Sequence, residues 1–218
     1  LQERRQLTGP VMTDSNIYTA VAEWLSDATA AEVTYGHISG WDTSQVTDMS
    51  YLFCADTSSS SGLCHAGAAS FNEDISEWDT SQVTDMAFMF RQASSFNQPI
   101  GGWVVDKVED MRWMFKYASS FNQDLSGWVV SNVESMWDMF KYAAVFNQDL
   151  SGWQIDKVDD MDSMFGEAVA FDQDLGWCVE DDVDLRYAFE HTPCESTSCG
   201  VHQLSVCTEA PTTTRAPT

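Results

Sequence analysis

FNQDLSGWVV occupies residues 121–130, and FNQDLSGWQI occupies residues 146–155. Eight residues are spelled identically 25 positions apart, each time ending in tryptophan. Moving outward gives FNQPIGGWVV at 96–105, FNEDISEWDT at 71–80 and FDQDLGWCVE at 171–180. A catalytic site is built once, so a stretch written five times is read as architecture. Aligned on tryptophan, the copies place Trp41, Trp78, Trp103, Trp128, Trp153 and Trp177 at gaps of 37, 25, 25, 25 and 24. The long first gap exceeds the period by 12, which the insert CADTSSSSGLC between Cys54 and Cys64 largely explains.

Within one copy, SQVTDMAFMFRQASSF places Val83, Met86, Met89, Phe90 and Ala93 at offsets 0, 3, 6, 7 and 10. At about 100° per residue these fall on one stripe of a helix, whereas a strand would scatter them over both faces. Thr80 or Ser81 then supplies an N-cap and Asp85 an acidic first turn. The stripe recurs as Val108, Met111, Met114, Phe115 and Ala118, and as Val133, Met136, Met139, Phe140 and Ala143. Methionine at this spacing beside phenylalanine is core filling rather than a copper ligand set. FNQDLSGW is left as the extended half of each copy, with Asn72, Asn97, Asn122 and Asn147 in a ladder whose amides bond the adjacent backbone. A fixed period of about 20–29 residues is that of leucine-rich repeats. The expected fold is an α/β repeat solenoid: a leucine-rich-repeat-like right-handed coil with short parallel strands, one helix per repeat, a helical N-cap and a disulfide-stapled C-cap.

Residues 1–34 read as an N-terminal segment and capping helix, with N-cap candidates Asp14 and Ser15 and an apolar face of Ile17, Val21, Trp24 and Leu25. Residues 35–176 hold the repeats and the 54–64 insert, 177–207 a degenerate repeat and C-cap, and 208–218 a Thr/Pro-rich linker or stalk. The chain opens at Leu1 rather than Met, so an upstream signal or pro-segment is expected to have been removed. Six cysteines in two local groups point to disulfides in an oxidising compartment. Cys54 is expected to join Cys64. Cys178, Cys194, Cys199 and Cys207 allow three pairings, of which the reading favours Cys178–Cys194 and Cys199–Cys207. His191 and His202 lie among these cysteines, but the spacings fit no zinc finger or ribbon. TEAPTTTRAPT at the end has the composition of an O-glycosylated stalk, so sugars are expected on Thr212, Thr213 and Thr214, and tail-dependent assembly with other copies.

Ten basic against 34 acidic residues give a net charge of −24, a field that repels nucleic acid and anionic membranes. No apolar run approaches the roughly 20 residues needed to span a bilayer. Asp74, Asp124, Asp149 and Asp174, interrupted by Pro99, form a column where stacked carboxylates offer Ca²⁺ a place. No calcium-loop spelling accompanies them, so solvent-facing turn and cap carboxylates are the expected role and no cofactor is assigned. His37, His65, His191 and His202 are scattered over the first coil, insert and end cap, and no GxSxG, HExxH or P-loop appears. No residue is assigned as catalytic and the chain is read as non-enzymatic. Phe88, Trp113, Trp137 and Ser163, placed in one helical column, leave Phe88, Trp113 and Trp137 as an aromatic strip. Packing against the next coil and service as an interaction surface weigh evenly for it.

Tryptophan, VTDM, MF, Ala and FN recur in that order, and ISEWDTSQVTDMAFMF followed by FNQ resembles the BspA-like leucine-rich-repeat surface proteins. The likeness is to the 25-residue version of mycoplasma-type surface lipoproteins and covers about residues 35–176. The entry segment AVAEWLSDATAAEVTYGHISGWDTSQVTDM is similar to the form abundant in single-celled algae. The resemblance implies extracellular display, adhesion and repeat scaffolding, with no catalytic residues to carry over. The expected function is a structural building block of a cell-surface or secreted fibrous assembly. The alternative is a monomeric adhesin or receptor ectodomain binding protein or glycan ligands.

Overall fold

The computed structural model describes residues 9–59 and 61–207. Its backbone hydrogen bonds run largely between successive 25-residue coils. The N–H groups of Met86, Phe88, Phe90 and Gln92 donate to the carbonyls of Asp110, Arg112, Met114 and Lys116 in the next coil, at 2.8–3.0 Å. Met111, Trp113, Phe115 and Tyr117 do the same toward Ser135, Trp137, Met139 and Lys141. Between them, the N–H groups of Met89, Arg91 and Ala93 turn back to carbonyls three residues earlier. Parallel bridges join Asp48, Asp85, Asp110, Ser135, Asp160 and Asp184 in one line.

This corrects the expected helix. No α-helix forms among the described residues between 46 and 177, and Val83–Ala93 is a run of consecutive turns. An isolated helix of about ten residues is marginal in water. Here alternate N–H groups find a neighbour's carbonyls that a helix would leave unused. The conformation needs left-handed backbone at Phe88 (φ 62°), Gln92 (59°), Trp113 (62°), Tyr117 (60°), Asp138 (55°) and Tyr142 (61°). Each costs about 1–2 kcal/mol for a residue with a side chain. Each of these six also donates its N–H to the next coil, which offsets the strain. The ladder thus runs through the half read as helix, while FNQDLSGW forms turns rather than a strand.

The inward residues are nevertheless those of the stripe: Val83, Met86, Met89, Phe90 and Ala93 are fully buried, as are their counterparts in the next two coils. Phe53, Phe90, Phe115, Phe140, Phe165 and Phe189 stack at 5.4–5.8 Å. A second file, Phe71, Phe96, Phe121, Phe146 and Phe171, runs beside it at 5.9–6.2 Å. The indole N–H groups of Trp78, Trp103, Trp128 and Trp153 donate to carbonyls of the preceding coil at 2.9–3.1 Å. The side-chain oxygens of Asn72, Asn97, Asn122 and Asn147 accept from the backbone N–H 25 residues on, at 2.9–3.0 Å. Gln98, Gln123, Gln148 and Gln173 donate to the same asparagines.

At the front, β1 (Val11–Thr13) pairs in parallel with β2 (Asp42–Gln45), and α1 (Ile17–Ser26) and α2 (Ala28–Tyr35) cover the first coil. The N-cap of α1 is Asn16. Asp14 instead accepts from the Thr47 N–H and hydroxyl and the Asp48 N–H, tying the segment to the first coil. Trp24, Ile17 and Val21 are buried as the amphipathic pattern required, while Leu25 is half-buried. At the back, β3 (Cys178–Val179) pairs in parallel with β4 (His202–Gln203), which leads into α3 (Leu204–Cys207).

Cys54 is joined to Cys64 as expected, but the end pairing is Cys178–Cys207 and Cys194–Cys199. The β3–β4 register sets Cys178 opposite His202 and so carries Cys207 to it. A tight turn with left-handed Ser198 and Cys199 brings Cys199 back to Cys194. No helix is long and apolar enough to cross a membrane among the described residues.

Candidate functional site: an aromatic and cationic face

Stacking at a 25-residue period carries any exposed side chain into a file. Phe88 and Trp113 occupy the same left-handed turn position in successive coils, extended at one end by Tyr51. Tyr51 stacks on Phe88 at 4.4 Å, and Phe88 lies 5.3 Å from Trp113. The next residue in the file is Asp138, not Trp137. Trp137 stands one position out of register, and meets Trp113 edge-on at 5.3 Å. Ser163, the next in the file, is buried. The three rings are therefore contiguous, but the file turns at its end, because 113 plus the period is 138. Phe88 and Trp113 are half-buried, and Trp137 is 38% exposed. Four positions further along each coil, Tyr117 and Tyr142 stack at 4.5 Å in a parallel file.

Cations lie among these rings. Arg91 sits 4.2 Å from the Trp113 ring centre and Lys116 sits 3.7 Å from it, so two positive charges lie over the indole. Such contacts contribute about 0.5–2 kcal/mol, more when desolvated. Lys116 is buried and pairs with Asp138, which also takes Lys141 at 3.3 Å. Arg91 pairs with Asp56, a residue of the disulfide-bracketed insert, and so pins the insert to the stack. Burial pulls the Lys116 ammonium below its usual range, against the opposing pull of Asp138. The Ser58 hydrogen bonds, helped by Arg91, hold the Asp56 carboxyl down. With every cation paired, the face offers aromatic edges and fixed charge for contact rather than a group poised to move a proton.

The acidic columns do other work. Asp74, Asp124 and Asp149 accept from the N–H of Ser76, Ser126 and Ser151 and close turns, which holds their carboxyls low. Asp85, Asp110 and Asp160 close equivalent turns onto Ala87, Arg112 and Asp162. Burial pushes the carboxyls of these three up. Among the described residues no three His, Cys, Asp or Glu side chains converge as a metal ion would require. His65 Nδ1 accepts the Gly67 N–H, so the neutral ring presents its Nε2 proton to Ser26, which itself donates to the Ala22 carbonyl. The proton is on the wrong nitrogen for His65 to activate that serine. Thr212, Thr213 and Thr214 lie outside the described residues.

Sequence reasoning singled out Phe88, Trp113 and Trp137 as an aromatic strip but missed Arg91, Lys116, Asp138 and Asp56. A signal for the cations was present: MFRQA, MFKYA and MFKYA repeat Arg91, Lys116 and Lys141 at the period of 25. Nothing in the spelling tied the insert's Asp56 to that file. In comparisons with known proteins, no curated protein and no solved structure matches this chain. A family model does match, over residues 19–145 and again over 107–199. The chain belongs to the family described as "Mycoplasma protein of unknown function, DUF285".

Proposed function

We propose that the chain is a non-enzymatic extracellular repeat scaffold, a building block of a cell-surface or secreted fibrous assembly. In this reading the stack of coils is a right-handed repeat solenoid of the BspA-like leucine-rich-repeat kind. The observation that carries the reading is the pairing of a stiff stack with one ordered outward face. Recurring Phe and Trp files run through the stack and an Asn file ties its central coils, while Tyr51, Phe88, Trp113 and Trp137 line one side with Tyr117 and Tyr142 beside them. Partly exposed aromatics gathered in one patch mark contact surfaces. Three disulfides, together with the resemblance to BspA-like surface proteins, support placement outside the cytosol.

A second reading, a monomeric adhesin, is favoured by a break in the aromatic file: Asp138, paired with Lys116, stands where Phe88 and Trp113 stand in earlier coils and makes the face unequal from coil to coil. Negative-stain imaging of the native material together with sedimentation separates the two. Filaments that dissolve in Trp137→Asp or in a chain ended after Cys207 support the scaffold. Uniform single particles at all concentrations refute it and leave the adhesin.

A further inference from the structure

The hydrogen-bond ladder has a direction, and this gives its first coil a chemical need. Through the turn run of each coil, alternate N–H groups donate forward, so four carbonyls of the next coil are engaged from the coil before, while one N–H just ahead of the run, such as that of Thr84 to the Thr47 carbonyl, donates back. Asp85, Ala87, Met89 and Arg91 receive Met49, Tyr51, Phe53 and Ala55 in this way. The first coil has no predecessor, and its equivalent carbonyls are those of Asp48, Ser50, Leu52 and Cys54. The Tyr18 hydroxyl of α1, with one proton, lies 3.0 Å from the Ser50 carbonyl and 3.1 Å from Asp48 Oδ1, with the Asp48 carbonyl further off at 3.5 Å. The His65 N–H serves Cys54 at 2.7 Å. The Leu52 carbonyl has no donor among the described residues.

Leu52 lines a cleft of about 660 Å³ between the two N-terminal helices and the Cys54–Cys64 insert. That volume lies within the range of small-molecule sites, about 300–1,000 Å³. Leu25, Leu63, Ala30 and Ala31 give it apolar walls. Its charged lining residues are Glu23 and Asp27, and neither Lys nor Arg lines it. Among the other polar groups, Ser26 and His65 bond each other, the Thr34 hydroxyl donates to the Ala30 carbonyl, and Asp27 caps α2 through the Ala30 N–H. An apolar cleft whose charged lining residues are both acidic, and whose lining includes Leu52 with its carbonyl lacking a donor among the described residues, is complementary to an apolar body with a cationic head.

We propose that this cleft binds a small hydrophobic amine, its apolar body against Leu25, Leu63 and Ala31 and its ammonium toward Glu23, Asp27 and the Leu52 carbonyl. The site goes beyond the scaffold reading, does not depend on assembly, and gives the disulfide insert a purpose as the cleft's third wall. The probe is 2-phenylethylamine, titrated into the full chain at neutral pH and followed by methyl NMR. The expected result is saturable shifts of the Leu25, Leu52 and Leu63 methyls with Kd below about 1 mM. 2-Phenylethanol, the same body without the charge, should bind at least fivefold more weakly. Ala30→Trp, which fills the cleft from an exposed helix position, should weaken amine binding at least tenfold, and Glu23→Gln several-fold. Far-UV circular dichroism and a non-reduced mass check that both variants keep the fold and the Cys54–Cys64 bond. The proposal is overturned by amine shifts that do not saturate, by equal affinity for the alcohol, or by folded variants that bind the amine as the parent does.

Discussion

Trp128 and Trp177 hold the same place in their coils, are nearly equally buried at 3% and 4%, and each stacks on Trp153 at 6.4 Å. They differ in one bond. The Trp128 indole N–H donates to the Ile100 carbonyl at 3.1 Å, whereas the buried Trp177 indole N–H has no partner among the described residues. Replacing either by Phe removes a similar volume, and a lost volume of about 40 Å³ at about 24 cal/mol per Å³ costs each about 1 kcal/mol. Trp128→Phe also loses a hydrogen bond. The Ile100 carbonyl keeps the Trp103 N–H, so the added cost is that of one net bond, about 0.5–1.5 kcal/mol. Trp177→Phe instead removes a buried unsatisfied donor, which recovers about 1 kcal/mol or more. Trp128→Phe should therefore destabilise by about 1.5–2.5 kcal/mol and Trp177→Phe by about zero, a difference near 2 kcal/mol. Urea unfolding followed by circular dichroism measures both as midpoint shifts at unchanged slope. A difference below about 0.5 kcal/mol would refute the claim that the indole bonds, and not only the rings, tie the coils together.

Asn122→Ala removes an oxygen that accepts both the Asn147 N–H and the Gln148 amide, and should cost about 1–3 kcal/mol in the same urea assay. Lys116→Met leaves Asp138 buried with Lys141 alone, and should cost about 2–3 kcal/mol; the double change Lys116→Met with Asp138→Asn should recover most of it in thermal unfolding. Asp110→Asn keeps the turn acceptor, as Ser135 does in the same file, and removes like charge beside Asp85. Because burial raises the folded carboxyl above its unfolded range, Asp110 favours the folded state at low pH, and that contribution is lost as pH rises through the folded value. Asp110→Asn should thus stabilise by about 0.2–1 kcal/mol at pH 7 and by nothing at pH 3, read from thermal midpoints at the two pH values.

Much was legible in the sequence. The period of 25, the inward set Val83, Met86, Met89, Phe90 and Ala93, the asparagine file and the Cys54–Cys64 insert follow from spacing alone, because stacked copies must repeat their buried side chains. Spacing could not say how the backbone carries that set inward. Offsets of 0, 3, 6, 7 and 10 suit a helix, and they suit equally a run of turns in which Phe88 and Gln92 swing to positive φ. Only the neighbouring coil, by offering carbonyls to alternate N–H groups, makes the turns the better solution. The same holds for the face. Arg91, Lys116 and Lys141 were visible as a periodic trio, but the grip of two of them on Trp113 and the reach of Asp56 from the insert to Arg91 depend on tertiary placement. Cys178 found Cys207 because β3 and β4 pair in parallel. Local sequence fixes which side chains are buried, while partners far along the chain are chosen by backbone hydrogen bonds formed only when the coils stack.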